Sequence, residues 1–266
     1  MRGVRVGIIT GSGTYALPGL QVTATRDRET PFGTVVVTEG RLSGVEVVHV
    51  SRHEPGHRRL SNHVNHRANV LALRDAGAQG VLGLTVCGAV DAELALGSLV
   101  VFDDLHFLVN RLPDGSICTL YTEPGVPGRG HWVYERPFSE PLRLALLQGA
   151  RDAGHSARDG GCYGHVDGPR FNTRTEIRML AQCGVSAVSQ TAGAETVLCG
   201  EAELPYALLG YITDYANGVS AEPTPVSELE RLVAASSAAL AASLEGALGA
   251  LTGDAPPPVG LHLRFD

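Results

Sequence analysis

One continuous stretch, residues 165–217, limits the possible folds of this chain more than any other. It opens with a Gly168-Pro169 turn and contains two predicted helices, one on each side of the polar residues 189–191. An apolar segment, residues 207–212, follows the second helix and is typical of a buried strand. Helices that alternate with strands predict an α/β fold. Because α/β sheets bind ligands beyond the carboxyl ends of their strands, Asp214 is a candidate site residue.

The length and composition are those of one large α/β domain. The chain has 266 residues, of which 44% are hydrophobic, and no repeat or low-complexity segment divides it. All 21 basic residues are arginine, which excludes a Schiff-base lysine and a Walker-type phosphate loop. The formal net charge of −7 argues against nucleic-acid binding, which needs clustered cations. We therefore expect a single domain over residues 1–266 that does not bind nucleic acid.

The cysteines and the N-terminus indicate the cellular compartment. The five cysteines are odd in number, lie far apart and form no CxxC pair, which predicts free thiols rather than disulfides or a zinc site. The first residues lead directly into a predicted strand, residues 4–9, and do not resemble a signal peptide. No apolar run approaches the roughly 20 residues of a membrane span. We expect a cytoplasmic protein that binds no metal and contacts no membrane.

A glycine-rich loop follows the first predicted strand. Residues 11–16 satisfy the GxGxxA pattern of dinucleotide-binding proteins, but that pattern requires a helix to begin inside it. Residues 17–19, Leu-Pro-Gly, stop such a helix, which disfavours a Rossmann dehydrogenase. We predict instead that the loop amides and the Ser12 hydroxyl bind a free phosphate. A plain tight turn is the alternative.

A cationic segment follows the predicted strand at residues 45–50. Arg52 and His53 come directly after that strand, where a guanidinium suits phosphate because it can donate two parallel hydrogen bonds. Arg58 and Arg59 lie further along, and for them a solvated surface position and a role in the site are both open. The remaining histidines of this region are predicted to be packing or surface residues: His57, His63 and His66.

Another predicted strand, residues 80–85, ends in a turn at Val86-Cys87-Gly88. Cys87 is predicted to be a small wall residue rather than a nucleophile, because no base is paired with it to lower its pKa. The other predicted elements are a hairpin strand (residues 34–39), a helix to about residue 76, a strand (99–102), a loop (111–134), a helix (138–153), a helix from a capping box at Ser227 and Glu230 to about residue 251, and a short tail (262–266).

Several of these segments resemble the methylthioadenosine/purine nucleoside phosphorylases of the trimeric class. The family motifs EGPRF, NMTxxPE, TDYD and TPFG are matched by Asp167-Gly-Pro-Arg-Phe171, Ser189-Gln-Thr191 with Ala194-Glu195, Thr213-Asp-Tyr-Ala216 and Thr30-Pro-Phe-Gly33. The resemblance implies one α/β domain with a central mixed, partly barrel-like β-sheet flanked by helices. It also implies a homotrimer in which a neighbour's segment around His131 covers the 5′ end of the nucleoside.

The resemblance assigns roles to residues at several strand ends. The residues implied for phosphate are Ser12, Arg52, His53, Thr85, Val86 and Thr191. Those implied for the nucleoside are Cys87, Gly88, Phe171, Asn172, Gln190 and Asp214. The catalytic residues implied are Asp214, Arg52 and His53, and no cofactor is implied because inorganic phosphate is a co-substrate.

Phosphorolysis of a purine nucleoside needs a bound phosphate, a floor under the ribose and an acid for the departing base. Asp214 is the candidate acid that protonates N7, provided that burial keeps its carboxyl protonated near neutral pH. In the 6-oxopurine branch of the family this residue is asparagine, whereas an aspartate oxygen accepts from a 6-amino group. Asp214 therefore points to an adenine nucleoside such as 5′-methylthioadenosine.

Two departures from the family leave alternatives open. Ala216 replaces a second aspartate, and Gln190 replaces a methionine below the ribose, while Ser189 replaces an asparagine. A phosphorylase for 6-oxopurine nucleosides (inosine, guanosine or methylthioinosine) or for another 5′-modified nucleoside remains possible. A nucleoside-binding regulatory protein that has lost catalysis is the alternative outside enzymes.

Overall fold

The computed structural model describes residues 4–251 and 254–265. Thirteen strands and five α-helices are present in these residues. The strands are β1 (Arg5–Thr10), β2 (Gln21–Thr30), β3 (Gly33–Leu42), β4 (Val45–Ser51), β5 (Gly80–Ala89), β6 (Leu99–Val101), β7 (Asp104–His106), β8 (Gly130–Val133), β9 (Ala157–Asp159), β10 (Cys162–His165), β11 (Val185–Ser189), β12 (Tyr206–Tyr215) and β13 (Leu261–Arg264). The helices are α1 (His66–Asp75), α2 (Glu140–Asp152), α3 (Arg174–Gln182), α4 (Ala192–Glu201) and α5 (Val226–Ala250).

Eleven strands form one mixed sheet that branches at β5. The main path runs β2-β3-β4-β1-β5-β11-β10-β7, and β12 also pairs with β5 and continues to β6 and β9. β5 is parallel to β1 and β12 and antiparallel to β11, so three strands meet along it. The predicted α/β fold with a central mixed sheet flanked by helices is confirmed.

The strands at the centre are buried on both faces, and their sequences show why. β5 reads GVLGLTVCGA and β12 reads YALLGYITDY, nearly continuous apolar runs with Thr85, Thr213 and Asp214 in their carboxyl-terminal halves. Strands covered by helices on both sides need such runs, because neither face meets water. Their parallel pairing brings the end of β5 next to the end of β12, where Gly88 is the partner of Asp214.

Helix α5 packs closely against α2. A side chain at Gly149 would come within 2.2 Å of the Ser243 carbonyl oxygen, so the two backbones touch and only glycine fits there. α5 is 25 residues long, with a mean hydropathy of 1.4 in an 18-residue window, and is long and apolar enough to cross a membrane. The expectation that no apolar run reaches this length is therefore wrong. Half of that window is buried inside the protein, as in the core helix of a soluble protein, so the hydropathy is weak evidence for a membrane span.

Several predicted boundaries differ from the structure because pairing between distant segments decides them. The predicted turn at Val86-Cys87-Gly88 is part of β5, since β12 and β11 pair with it up to Ala89. The predicted loop at residues 111–134 contains β8, and the predicted tail contains β13, which pairs antiparallel with β8. β2 was not predicted and forms a hairpin with β3.

The predicted capping box at the start of α5 is also wrong. α5 begins at Val226 with Pro225 as its N-cap, so Ser227 lies inside the first turn and cannot cap it. A capping box does occur at α3, where the Thr173 hydroxyl accepts from the Glu176 amide and the Glu176 carboxylate accepts from the Thr173 amide. This box fixes the start of α3 directly after the loop that contains Phe171 and Asn172.

Candidate active site

A cavity of about 300 Å³ lies at the carboxyl ends of β1, β4, β5, β11 and β12. The strands β1, β4, β5 and β12 are parallel and end on the same side of the sheet. β11 runs antiparallel to β5 but meets it at the carboxyl end of both strands, where Val188 pairs with Gly88. All of the residues predicted for the site line this cavity: Ser12, Arg52, His53, Thr85, Val86, Cys87, Gly88, Phe171, Asn172, Gln190, Thr191 and Asp214. The fold therefore gathers the predicted residues around one space.

Arg52 is bound by a buried carboxylate rather than left free for an anion. Its Nε donates to Glu195 Oε1 at 2.5 Å and its Nη2 to Oε2 at 2.9 Å, and both side chains are at most 1% exposed. Its Nη1 donates to the Leu84 carbonyl oxygen at 2.8 Å. Glu195 therefore occupies the edge formed by Nε and Nη2, and the expected parallel pair of bonds to phosphate stays a prediction for the remaining N–H groups. A guanidinium has five N–H groups, so two remain for a ligand.

The glycine-rich loop is shaped by this arginine. A side chain at Gly11 would lie 2.2 Å from Arg52 Nη1, so the loop backbone runs directly beside the guanidinium. Gly13 has φ of +81°, a left-handed conformation that glycine adopts without strain. The loop leads through a turn and not into a helix, as predicted. Ser12, between the two glycines, faces the cavity.

His53 is neutral near pH 7. Burial, together with the nearby Arg52, lowers its pKa to about 4. Its Nδ1 lies 2.8 Å from the Arg59 carbonyl oxygen. A carbonyl oxygen only accepts, so Nδ1 bears the proton and Nε2 is left as an acceptor. The ring stacks on His57, with centroids 4.2 Å apart, and His57 Nδ1 lies 3.1 Å from the Tyr15 hydroxyl.

Two hydroxyl side chains and the N-terminus of α4 also lie at the cavity. Thr85 Oγ1 and Ser189 Oγ are 3.3 Å apart and join the end of β5 to the end of β11. Thr191 is the buried N-cap of α4. The first amides of α4 already donate within the protein, from Ala192 to the Tyr163 hydroxyl and from Gly193 to His165 Nδ1. The positive end of the helix dipole still favours an anion near Thr191.

A second histidine lies behind the arginine and does not reach the cavity lining. His66 is buried, and neither ring nitrogen has a hydrogen-bond partner in the described part of the chain. Its Nδ1 is 4.0 Å from Glu195 Oε1. Burial and the nearby Arg52 lower its pKa to about 3, so the ring is uncharged near pH 7. Its prediction as a packing residue agrees with this position.

Asp214 also lines the cavity, beside Gly88 at the carboxyl ends of β12 and β5. Burial raises the pKa of its carboxyl, and a hydrogen bond from Thr213 Oγ1 to Oδ1 at 2.8 Å partly offsets that rise. Oδ2 lies 3.0 Å from the position of a Cβ on Gly88, so a side chain at residue 88 would press on the carboxyl. Burial therefore shifts the pKa of Asp214 upward, as the sequence predicts for a general acid.

A bulge in β12 sets the direction of Asp214. Ile212 pairs with Cys87 and Asp214 with Gly88, which leaves Thr213 as one extra residue in the strand. Thr213 and Asp214 both line the cavity, although successive side chains of a regular strand point to opposite faces. The extra residue thus supplies both the carboxyl and the hydroxyl that orients it.

The loop after β10 forms another wall. Phe171 is 61% exposed at the rim, and the Asn172 carbonyl oxygen accepts from Asn217 Nδ2 at 2.7 Å. Gln190 Oε1 accepts from Ser61 Oγ at 2.8 Å. Cys87 is 2% exposed, and burial raises its pKa, so it is a wall residue and not a nucleophile, as predicted.

The cavity also contains residues that the sequence did not identify. They are His57, Leu60, Ser61, Val166, Pro169, Ile177, Val188, Thr213, Asn217, Leu229 and Val233. Leu229 and Val233 are four residues apart on α5, so they share one face of the helix, a spacing that was visible in the sequence. No group of three or more potential metal ligands occurs among residues 4–251 and 254–265.

The branched mixed sheet and the cavity at its strand ends fit a nucleoside phosphorylase-type enzyme. The sequence matches the phosphorylase superfamily over residues 5–248, and the chain belongs to that family. The predicted enzyme class, a pentosyltransferase of the nucleoside phosphorylase type, is confirmed.

The names of the relatives cover more than one class of substrate. The chain is 34% identical over 235 residues to a probable 6-oxopurine nucleoside phosphorylase of Thermococcus kodakarensis, and the alignment covers 86% of each chain. It is 35% identical over 216 residues to the S-methyl-5′-thioadenosine phosphorylase of Drosophila melanogaster, covering 80% of this chain and 73% of the relative. Its structure resembles that of methylthioadenosine phosphorylase from Schistosoma mansoni in complex with adenine, with a TM-score of 0.84, 29% identity and coverage of 92% and 91%.

Proposed function

We propose that the protein catalyses phosphate-dependent cleavage of the N-glycosidic bond of a 5′-deoxy-5′-substituted adenosine, of the 5′-methylthioadenosine type. The products are adenine and a 5-substituted ribose 1-phosphate. One observation carries the proposal: a single cavity is lined both by the arginine, the hydroxyls and the N-cap of α4 and by the buried Asp214 carboxyl. That is the combination which phosphorolysis of a purine nucleoside requires.

In the proposed mechanism, phosphate is held near Ser12, Thr191 and the remaining N–H groups of Arg52. A phosphate oxygen bonds to C1′ as the bond from C1′ to N9 breaks, and the electron pair of that bond moves into the purine. Phosphate balances the positive charge that develops on the sugar. The protonated carboxyl of Asp214 gives its proton to N7, so the base leaves uncharged. Placement of phosphate against C1′ lowers the barrier by orientation.

The 5′ preference is supported by the apolar residues from α5. Leu229 and Val233 line the same cavity as the phosphate candidates, and the Val233 carbonyl oxygen is 2.8 Å from the position of a Cβ on Gly13. The apolar side chains of α5 therefore approach the glycine-rich loop. An alkylthio substituent matches such a surface better than a 5′ hydroxyl, which would lose its hydrogen bonds to water there.

The 6-oxopurine nucleosides are the second candidate substrates. A protonated Asp214 has one O–H donor, which suits O6 as well as N7. Ala216 supplies no polar side chain near the base end, so a second contact with a 6-amino group is missing. The relative from Thermococcus kodakarensis, named as a 6-oxopurine nucleoside phosphorylase, also supports this candidate.

Release of free base with and without inorganic phosphate tests the proposed function. The panel contains 5′-methylthioadenosine, adenosine, 5′-methylthioinosine and inosine, which vary C6 and C5′ separately. We expect strictly phosphate-dependent release, with the highest kcat/KM for 5′-methylthioadenosine. If kcat/KM is higher for both inosine-type compounds than for the adenosine-type compounds, the preferred base is a 6-oxopurine and not adenine. Tight nucleoside binding without release of base would support the regulatory alternative instead.

We further propose that the protein assembles as a homotrimer, as the family resemblance implies. Exposed apolar side chains around β8 and β13 support an interface on this side of the molecule: Val133, Leu261, Leu263 and Phe265. The His131 ring lies edge-on to Phe265, with centroids 5.5 Å apart, in the same region. Light scattering is expected to give about three times the chain mass of 27.9 kDa. A fully active monomer would contradict this assembly.

A further inference from the structure

The side chain of Gln190 joins two segments that are distant in sequence. Its Oε1 accepts from Ser61 Oγ at 2.8 Å, and its Nε2 donates to the Arg170 carbonyl oxygen at 3.0 Å. Ser61 belongs to a short 3₁₀ turn, Ser61–His63, while Arg170 belongs to the segment at residues 167–172, here called the Gly168 loop. One amide therefore links this turn to the Gly168 loop.

The backbone of the Gly168 loop lies directly on this pair of side chains. A Cβ at Gly168 would be 2.0 Å from Gln190 Oε1 and 2.2 Å from Ser61 Oγ. No side chain can be accommodated there without displacing Gln190 or Ser61. The close approach shows that the loop position and the amide position depend on each other.

The position of Gln190 is itself well fixed. It follows Ser189, the last residue of β11, and precedes Thr191, the N-cap of α4. Its backbone is therefore set by the central sheet and by a buried helix. The Arg170 side chain, in contrast, contacts Glu176 as a surface ion pair in which the arginine is 61% exposed, and such pairs contribute little. The amide ties the loop to the rigid part of the fold.

The Gly168 loop places Phe171 and Asn172 at the cavity, on the nucleoside side of the proposed site. We infer that Gln190 is a positioning residue, which holds this loop in place and thereby sets the affinity for the nucleoside but not for phosphate. An amide suits this role because it accepts through Oε1 and donates through Nε2. A thioether of similar length offers no donor, so methionine cannot form this link.

Three variants test the inference, whose kinetic readout rests on the proposed function. Gln190→Met removes both hydrogen bonds, so we expect nucleoside KM to rise about tenfold, with phosphate KM within twofold of wild type. Ser61→Ala removes one bond, and about a threefold rise is expected. The double variant should resemble Gln190→Met, because the Ser61 bond is already lost, a non-additive result typical of coupled residues. Gln182→Met, the same change at an exposed end of α3, is the matched control.

Hydrogen exchange of the ligand-free protein tests the link without any substrate. We expect faster exchange over residues 167–172 in Gln190→Met and Ser61→Ala, and unchanged exchange in Gln182→Met. Unchanged exchange in Gln190→Met overturns the inference even if nucleoside KM rises, since the amide would then act on the nucleoside directly. An equal rise in phosphate KM also overturns it. Because exchange needs no turnover, failure of the proposed function and failure of this inference are distinguishable.

Discussion

Replacement of Asp214 by alanine is expected to lower kcat by about 10²–10⁴-fold, the usual effect of losing a general acid. Phosphate KM should stay close to the wild-type value, because Asp214 is not among the residues proposed to contact phosphate. The comparison is made by initial rates of base release at saturating phosphate. Asp75→Asn, at the exposed end of α1, is the control for loss of a carboxylate and should leave kcat unchanged.

The same residue is expected to set the pH dependence. Burial raises the pKa of the Asp214 carboxyl, and the proposed acid acts only while it is protonated. kcat should therefore be highest below that pKa and fall as the pH rises through it. Asp214→Asn cannot titrate, so this fall should vanish from its profile. A wild-type profile that rises through this range would show that the carboxylate, not the acid, is the active form.

Asp214→Asn also tests the base preference. The asparagine amide donates to O6, whereas the aspartate oxygen accepts from a 6-amino group. One mispaired buried contact is worth about 1–3 kcal/mol, so the ratio of activity on 6-amino to 6-oxo nucleosides should fall by roughly 5- to 150-fold. An unchanged ratio would mean that Asp214 does not contact the 6-position. A wild-type preference for inosine would contradict the assignment to adenine nucleosides.

Removal of either partner of the Arg52–Glu195 pair is expected to destabilise the fold strongly. Arg52→Ala or Glu195→Ala leaves one buried charge without its counter-ion, at a cost of about 3–5 kcal/mol. The Tyr206 hydroxyl, which donates to Glu195 Oε2 at 3.0 Å, cannot replace a guanidinium. For a chain of this size the loss corresponds to a fall in Tm of roughly 6–20 °C. Thermal unfolding measures it, and phosphate KM should rise in any Arg52→Ala protein that remains folded.

Two further variants separate stability from anion binding. Arg52→Lys keeps the charge but cannot donate to both carboxylate oxygens in parallel, so partial stability with a raised phosphate KM is expected. Arg58→Ala is the control, because the Arg58 side chain is 82% exposed and surface changes usually stay within about 0.5 kcal/mol. If Arg52→Ala had wild-type Tm and phosphate KM, neither the ion pair nor the anion contact would matter.

The position of Arg52 was predictable, but its partner was not. A cation directly after an apolar strand indicates a site at the strand end, and the cavity is there. Glu195 lies 143 residues further along the chain, on a helix whose register only the folded sheet defines. The position of Arg52 at a strand end therefore favoured phosphate as its hydrogen-bond partner. In the folded protein the Glu195 carboxylate binds its Nε and Nη2. His66 was likewise predicted to be a surface or packing residue. The residues next to it in sequence do not show that it is buried beside Glu195.

Strand prediction succeeded where apolar runs were long and failed where strands were short. β5 and β12 were located from continuous hydrophobic sequence, because both faces of these strands are buried. β8 and β13 have four residues each and pair across more than 120 residues of chain, so neither has a local signal. Asp214 could be predicted because it ends a long apolar strand. The bulge that turns it into the cavity could not, since its register depends on β5.

Because of the bulge at Thr213, the residue proposed to contact the base can change without any change in the strand pairing of the sheet. The residue at position 214 can be exchanged by a single-nucleotide change, such as aspartate to asparagine, while β5 and β12 keep their pairing. Loss of one residue from the strand, in contrast, would turn every later side chain to the other face. A lineage that retains the bulge is thus free to acquire a new substrate by substitution. Divergence of specificity is expected to leave the length of this strand unchanged.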